Sequence, residues 1–325
     1  MAGGNTVTGY IVRRIAQAVP TLLGITIISF AIIHLAPGDP IQVFTFGLPD
    51  LTAQDIARLR HQYGLDQPLY IQYVNWLIQV AQLNFGNSFV THRPVLEAIG
   101  QRIPNTFVLA ATALALGLVL GIAIGTYSAL KRGTVADGLF RVVAVIGSAV
   151  PSFWLGLVFI LLFAVNWRLF PSGGMFTLGS HGLNLGDRLW HLFPPAFILS
   201  LGTIAGTSRL VRTETLETMG QDFVRTARAK GLQERVVVLG HVLRNSLLPV
   251  VTIVGGSLPF LLGGAVLIES IFSWPGIGRL SVDSAFSRDY PVLMGLLVIG
   301  SSLVIIGNVL SDILYTFVDP RISLR

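Results

Sequence analysis

Long apolar runs separated by shorter polar ones dominate the chain. Runs long enough to carry a helix across a ~30 Å hydrocarbon core fall at about residues 15–35, 106–130, 142–163, 192–207, 246–268 and 291–315. The pattern predicts an all-α integral membrane protein with about six transmembrane helices. The fourth run is the shortest; it opens near Pro194-Pro195 and carries Ser200, Gly202, Thr203, Gly206 and Thr207. A span of that composition faces protein or water instead of lipid. Arg13 and Arg14 precede the first run, but its apolar stretch exceeds the ~7–15 residues of a signal peptide and no small-x-small site follows. It is expected to be a retained span.

Composition points the same way. Hydrophobic residues make up 52% of the 325 residues and charged ones 12%, against roughly 25% charged in a soluble domain. Such a chain cannot assemble a water-facing surface, and residues 1–325 read as one transmembrane domain. There is no cysteine, so disulfides, thiolate metal sites and cysteine nucleophiles are excluded. The net charge of +6 is scattered between apolar runs, unlike the basic stripe of a nucleic-acid binder. Its distribution instead orients the spans. With the N-terminus inside, fourteen of the 22 lysines and arginines fall on inner segments, which places both termini in the cytoplasm.

Gly117, Gly121 and Gly125 recur every four residues in the second span and give one bare helix face for close packing. In the fifth, Gly255, Gly256, Pro259, Gly263 and Gly264 loosen the backbone ladder, as expected of a wall of a translocation path. Glu269 and Asp312 are carboxylates within or beside spans. They are either functional groups or locally paired or solvated side chains.

About 70 residues (36–105) separate the first two spans, and two short helices are expected there. Thr52 with Asp55 reads as a capping box, and Asp66 with Pro68 as the start of a helix over 69–82. Tyr70, Tyr73 and Trp76 recur along the latter, where an interfacial aromatic belt is favoured over a ligand-binding stripe.

The segment 210–248 is too polar to span the membrane. Asp222 is expected to cap a helix over 223–230, with Gly231 as the left-handed residue that ends it. Phe223 and Ala227, four apart, form an apolar face; Arg225 and Arg228, three apart, form a basic one. So short a helix needs packing to be stable. By pattern alone it could equally rest on the anionic inner leaflet.

The run Asp222-Phe223-Val224-Arg225-Thr226-Ala227-Arg228-Ala229-Lys230-Gly231-Leu232, followed by Leu243-Arg244-Asn245-Ser246-Leu247-Leu248-Pro249, resembles the cytoplasmic loop of binding-protein-dependent ABC importer permeases. It is most similar to the B-type permease of the dipeptide, oligopeptide and nickel group. Leu35-Ala36-Pro37-Gly38-Asp39-Pro40, Phe85-Gly86-Asn87-Ser88, Glu269-Ser270-Ile271-Phe272-Ser273-Trp274-Pro275-Gly276-Ile277-Gly278 and Val318-Asp319-Pro320-Arg321 extend the resemblance from the first span to the tail. Where the wider permease pattern begins Glu-Ala-Ala, this chain has Arg225-Thr226-Ala227.

The resemblance implies a type I importer permease in the cell (inner) membrane. The loop helix would be its coupling helix, with Phe223 and Ala227 docking on a cytoplasmic ATPase and Gly231 aiming the helix. It also implies a second homologous permease, two ATPase subunits carrying ATP and magnesium, and an external binding protein. The cargo would be short peptides, with nickel or oligosaccharide as alternatives. No Gly-Lys-Ser/Thr phosphate loop, His-Glu-x-x-His pair or Gly-x-Ser-x-Gly elbow occurs, so the chain is expected to be no enzyme and to hold no cofactor of its own. A self-sufficient channel or an ion-driven carrier is the competing reading.

Overall fold

Helix α1 (Gly4–Leu35) begins the computed structural model, which describes residues 4–35, 52–62, 64–177, 179, 184–257 and 265–318. There follow α2 (Ala53–Gln62), α3 (Leu69–Ala81), α4 (Val95–Gly100) and α5 (Ile103–Leu130). Next come α6 (Val135–Ala149) and α7 (Ser152–Phe159), the latter continued by a π-helix (Ile160–Asn166), and then α8 (Leu185–Met219). Helix α9 (Asp222–Ala229) precedes α10 (Glu234–Val236), a second π-helix (Val237–Val242), α11 (Leu243–Ser246) and α12 (Leu248–Gly256). The chain closes with α13 (Val266–Ile271), α14 (Ile277–Phe286) and α15 (Tyr290–Val318).

Val95–Leu130, Leu185–Met219 and Tyr290–Asp312 are each long and apolar enough to cross a membrane. Helices α5 and α8 form the centre of the bundle, and the glycine stripe is their seam. A Cβ at Gly117 would lie 2.6 Å from Thr203, one at Gly121 2.7 Å from Thr207, and one at Gly125 2.6 Å from the Ser208 carbonyl oxygen. Only bare backbone fits at that separation. Towards one end Leu109, Ala113, Leu192, Ala196 and Trp274 close the seam; beside it Phe159, Ile198, Ala265, Ile268 and Phe272 bind α7 and α13 to α8.

Three spans differ from their sequence expectation. The third, expected as one helix over 142–163, is two: α6 and the α7 segment meet at a bend of 105°. Pro151 has no N–H for the Gly147 carbonyl, and Val150 before it is extended (φ −87°, ψ 131°). The fourth is a 35-residue helix in which Pro194 and Pro195 lie inside and buried. It starts earlier because the Asn184 side chain accepts hydrogen bonds from the Gly186 and Asp187 amides. The fifth comprises α12 and α13; Pro259, Gly263 and Gly264 lie between them, outside the described residues.

In the 52–100 segment Thr52 and Asp55 make the reciprocal bonds of a capping box, at 3.1 and 3.3 Å. Asp66 caps nothing: its carboxylate bonds His61 Nδ1 at 2.8 Å, and Pro68 is the N-cap of α3. Tyr73 and Trp76 pack on Phe30 of α1, and the Tyr73 hydroxyl meets Thr26 at 2.9 Å. Two of the three aromatics expected at the lipid interface therefore serve helix packing, and Tyr70 alone is largely exposed. Asp312 pairs with Arg14 across α1 and α15 at 2.6 Å.

Glu269 is fully buried at the end opposite the 220–247 loop. Its carboxylate accepts hydrogen bonds from the Thr106 hydroxyl (2.8 Å) and the Arg279 amide (3.1 Å), and the Thr106 hydroxyl accepts from the Ile277 amide (2.9 Å). Trp274 Nε1 donates to the Asn105 carbonyl, and Asn105 Nδ2 to that of Pro275. These bonds pin the Trp274-Pro275-Gly276 turn onto the first turn of α5, and Gly276 is obligatory because a Cβ there would collide with the Glu269 carboxylate. Glu269→Ala strands a buried hydroxyl and amide and is expected to cost about 3 kcal/mol or more. Glu269→Gln, which keeps one acceptor, should cost less; thermal unfolding in detergent reads both.

Candidate coupling loop

Helix α8 has 35 residues and so runs about 52 Å, well beyond a ~30 Å hydrocarbon core. Its length carries the chain past the apolar layer, and α9 begins after two intervening residues. At the level where it emerges, the buried Asp137 ties three helices together. It accepts from Ser128 of α5 at 2.5 Å, from the Gly133 amide at 3.1 Å and from Arg212 of α8 through Nε and Nη2 at 2.8 and 2.9 Å. Arg141 lies 3.6 Å away on the next turn. The two-toothed Arg212 contact fixes the orientation of α8 as well as its position. The charge distribution along the sequence does not reveal that Arg141 and Arg212 share this carboxylate. Its trace is the Thr134-x-x-Asp137 cap, with the Thr134 hydroxyl accepting from the Asp137 amide.

The loop builds its own small core. Val224 and Ala227 of α9 are buried against Val237 and Val242, with Met219 beside them. Below it, Thr215 of α8 and Ser246 of α11 are buried and bonded at 3.4 Å. The apolar face is thus Val224/Ala227, three apart, and not Phe223/Ala227: the return segment takes up Ala227, and Phe223 stays 43% exposed. Asp222 is the first helical residue and no cap; Gln221 holds the N-cap position without a side-chain bond, and Asp222 pairs with Arg225 at 3.4 Å.

Gly231 has φ +76°. Its amide donates to the Arg228 carbonyl at 2.9 Å and the Leu232 amide to that of Ala227 at 3.4 Å, the two bonds of a Schellman termination. Arg228 then reaches forward to Glu234, with contacts of 2.7 and 3.1 Å, and these hydrogen bonds hold the Glu234 carboxyl below its usual range. The pair bridges α9 and α10 of the loop. Because Glu234 is acidified by folding, its contribution is present above the ordinary carboxylate pKa of about 4.3 and lost as pH falls through the lowered value. Glu234→Gln should therefore destabilise the loop at pH 7 by under about 1 kcal/mol, the pair being partly exposed, and less at pH 4. Limited proteolysis within 220–236 at both pH values measures the difference.

What remains outward is one face: Asp222, Phe223, Arg225, Thr226 and Lys230, all exposed. Arg228 is drawn sideways to Glu234. Gly255 and Gly256 end α12, Gly256 exposed, while Pro259 and Gly263 lie outside the described residues.

A bundle of apolar helices with a braced polar loop at one end is the architecture of a polytopic membrane protein. Residues 117–324 match the binding-protein-dependent transport system inner membrane component, and residues 7–110 match the N-terminal domain of such membrane components. The chain belongs to this family and is a permease, with no ATPase of its own. It is 45% identical over 315 residues to the oligopeptide transport system permease protein AppB of Bacillus subtilis, covering 97% of this chain and 99% of that one. It is 41% identical over 315 residues to a putative peptide permease protein of Brucella ovis (97% and 98% covered), and 36% identical over 333 residues to the dipeptide transport system permease protein DppB of Escherichia coli K12 (96% and 98%).

Proposed function

We propose that this chain is one of two permeases in an ATP-driven importer of short peptides, and that α9 is its coupling helix. Residues 210–248 then lie in the cytoplasm with both termini, and residues 36–105 face outside. An external binding protein delivers the cargo, and two cytoplasmic ATPase subunits, holding ATP and magnesium, drive it through. The names of the relatives, oligopeptide and dipeptide permeases, support peptides over nickel or oligosaccharide.

The observation that carries this reading is the division of α9 into two faces. The inward face is locked by Val224 and Ala227, so force on the helix passes to the return segment and, through Thr215 and Ser246, to α8. The outward face leaves Phe223 exposed beside Arg225 and Lys230. Burying the rest of that ring in a partner's groove gains roughly 1 kcal/mol, and Lys230, beside the Asp222–Arg225 pair, favours an acidic group on the partner.

The chain has no cysteine, so a thiol at Thr226 is unique. In the complex, Thr226→Cys is expected to cross-link to the ATPase subunit with a short bifunctional reagent, and ATP trapping to change the yield. Cross-linking to lipid-phase probes alone, with none to the ATPase, would overturn the assignment of α9.

A further inference from the structure

The break between α6 and α7 lies far from either end of α8. Asp137 near the start of α6 meets Arg212, and a Cβ at Gly147 near its end would lie 3.7 Å from the Leu201 carbonyl. Helix α6 thus runs along α8 from the level of Arg212 to that of Leu201, about 16 Å along the axis. The first-turn Asp187 of α8 lies about 21 Å further on. The break is therefore close to mid-membrane.

Its backbone is not satisfied by either helix. Pro151 offers no N–H to the Gly147 carbonyl. The Trp154 and Leu155 amides turn back to the Pro151 carbonyl, at 3.1 and 3.2 Å, while α7 opens on a proline N-cap with no side-chain cap for the Ser152 and Phe153 amides. Ser148, Ala149 and residues 151–154 are all exposed on the subunit, Phe153 by 41% and Trp154 by 51%. In hydrocarbon each open amide or carbonyl costs several kcal/mol, and irregular backbone at this depth persists only inside protein or along water. Two hydroxyls, Ser148 and Ser152, flank Pro151 on that exposed surface, and beyond it on α8 a Cβ at Gly202 or Gly206 would meet nothing within 4 Å.

We infer that the Ser148–Trp154 break lines the water-filled translocation path, with Ser148, Ser152 and the open backbone hydrating it and Phe153 and Trp154 framing it. This rests on the reading of the chain as a transport subunit. Burial of the break against the second permease is the competing outcome.

The test uses the assembled complex, in vesicles, with Ser148→Cys and Ser152→Cys each introduced alone into the naturally cysteine-free chain. The probe is a small charged methanethiosulfonate, and modification is read on this chain by mass. Gln101→Cys, at an exposed turn, and Ala144→Cys, at a buried position of α6, bracket the range. A thiol held away from water stays protonated and inert, so both break positions are expected to react at least about tenfold faster than Ala144→Cys. Rates no faster than that reference, or fast only in the isolated subunit, overturn the inference. Peptide uptake is measured in the same vesicles before modification. ATP-driven uptake with inert thiols removes the lining and leaves the transport reading standing; no ATP-driven uptake by the unsubstituted complex removes the transport reading and the path with it.

Discussion

Replacing Gly125 by alanine is expected to destabilise the protein markedly, although the change adds one methyl group. A Cβ at Gly125 would lie 2.6 Å from the Ser208 carbonyl oxygen, 2.9 Å from the Val211 Cβ and 3.1 Å from the Ser208 Cα. Two of these are backbone atoms and the third is a β-branched carbon, so none can swing aside, and α5 and α8 must part. Overpacking of this kind costs about 1–3 kcal/mol, and separating the helices also loosens the Asp137 junction that spans α5, α6 and α8. Gly300→Ala in α15 is the matched control: nothing lies within 4 Å of its Cβ position, and the same substitution in a helix interior is favourable by about 0.5–1 kcal/mol. Unfolding midpoints in detergent should fall for Gly125→Ala and hold or rise for Gly300→Ala. Equal behaviour would mean that the α5–α8 seam is not set by backbone approach.

Gly231→Val is expected to abolish ATP-driven uptake while leaving the membrane bundle intact. At Gly231 no atom crowds a Cβ; the obstacle is the backbone alone, at φ +76°. For an ordinary residue the left-handed region costs about 1–2 kcal/mol, and a β-branched one is a steric outlier there. Valine would unwind the Schellman turn, release the Leu232 amide from Ala227 and let α9 rotate off Val237 and Val242. Asparagine, which visits this region readily, should restore most of the activity, with alanine between. That order, Gly and Asn above Ala above Val, is read as peptide-stimulated ATP hydrolysis by the complex. A crowding effect would instead follow side-chain size and place asparagine with valine.

Much of this architecture was legible because hydropathy and spacing report on burial directly. The apolar runs placed the spans, and three glycines in register marked the packing face of α5. Their partner was not legible: Thr203 and Thr207 mark a span that faces protein or water, and nothing local decides which. Nor was the broken third span: Pro151 sits in an apolar run of adequate length, and a hydropathy window averages over the bend. In the loop, the position of Gly231 followed from its place after a short helix. The inward face did not, because Val224 and Phe223 are both apolar and only the return segment decides between them. Glu269 illustrates the same limit. A buried carboxylate satisfied by Thr106 and a distant amide depends on three segments meeting, and no local pattern encodes that.

These elements form one mechanical line from α9 through Thr215 and Ser246 to α8, and from α8 through its seam to α5. Closure of a partner against Phe223 would therefore move a braced unit. The measurement that bears most directly on the whole is peptide accumulation in sealed vesicles holding this chain, the second permease, two ATPases and the binding protein. Uptake that requires ATP and every subunit is the predicted result; flux through vesicles holding this chain alone, without ATP, would contradict it.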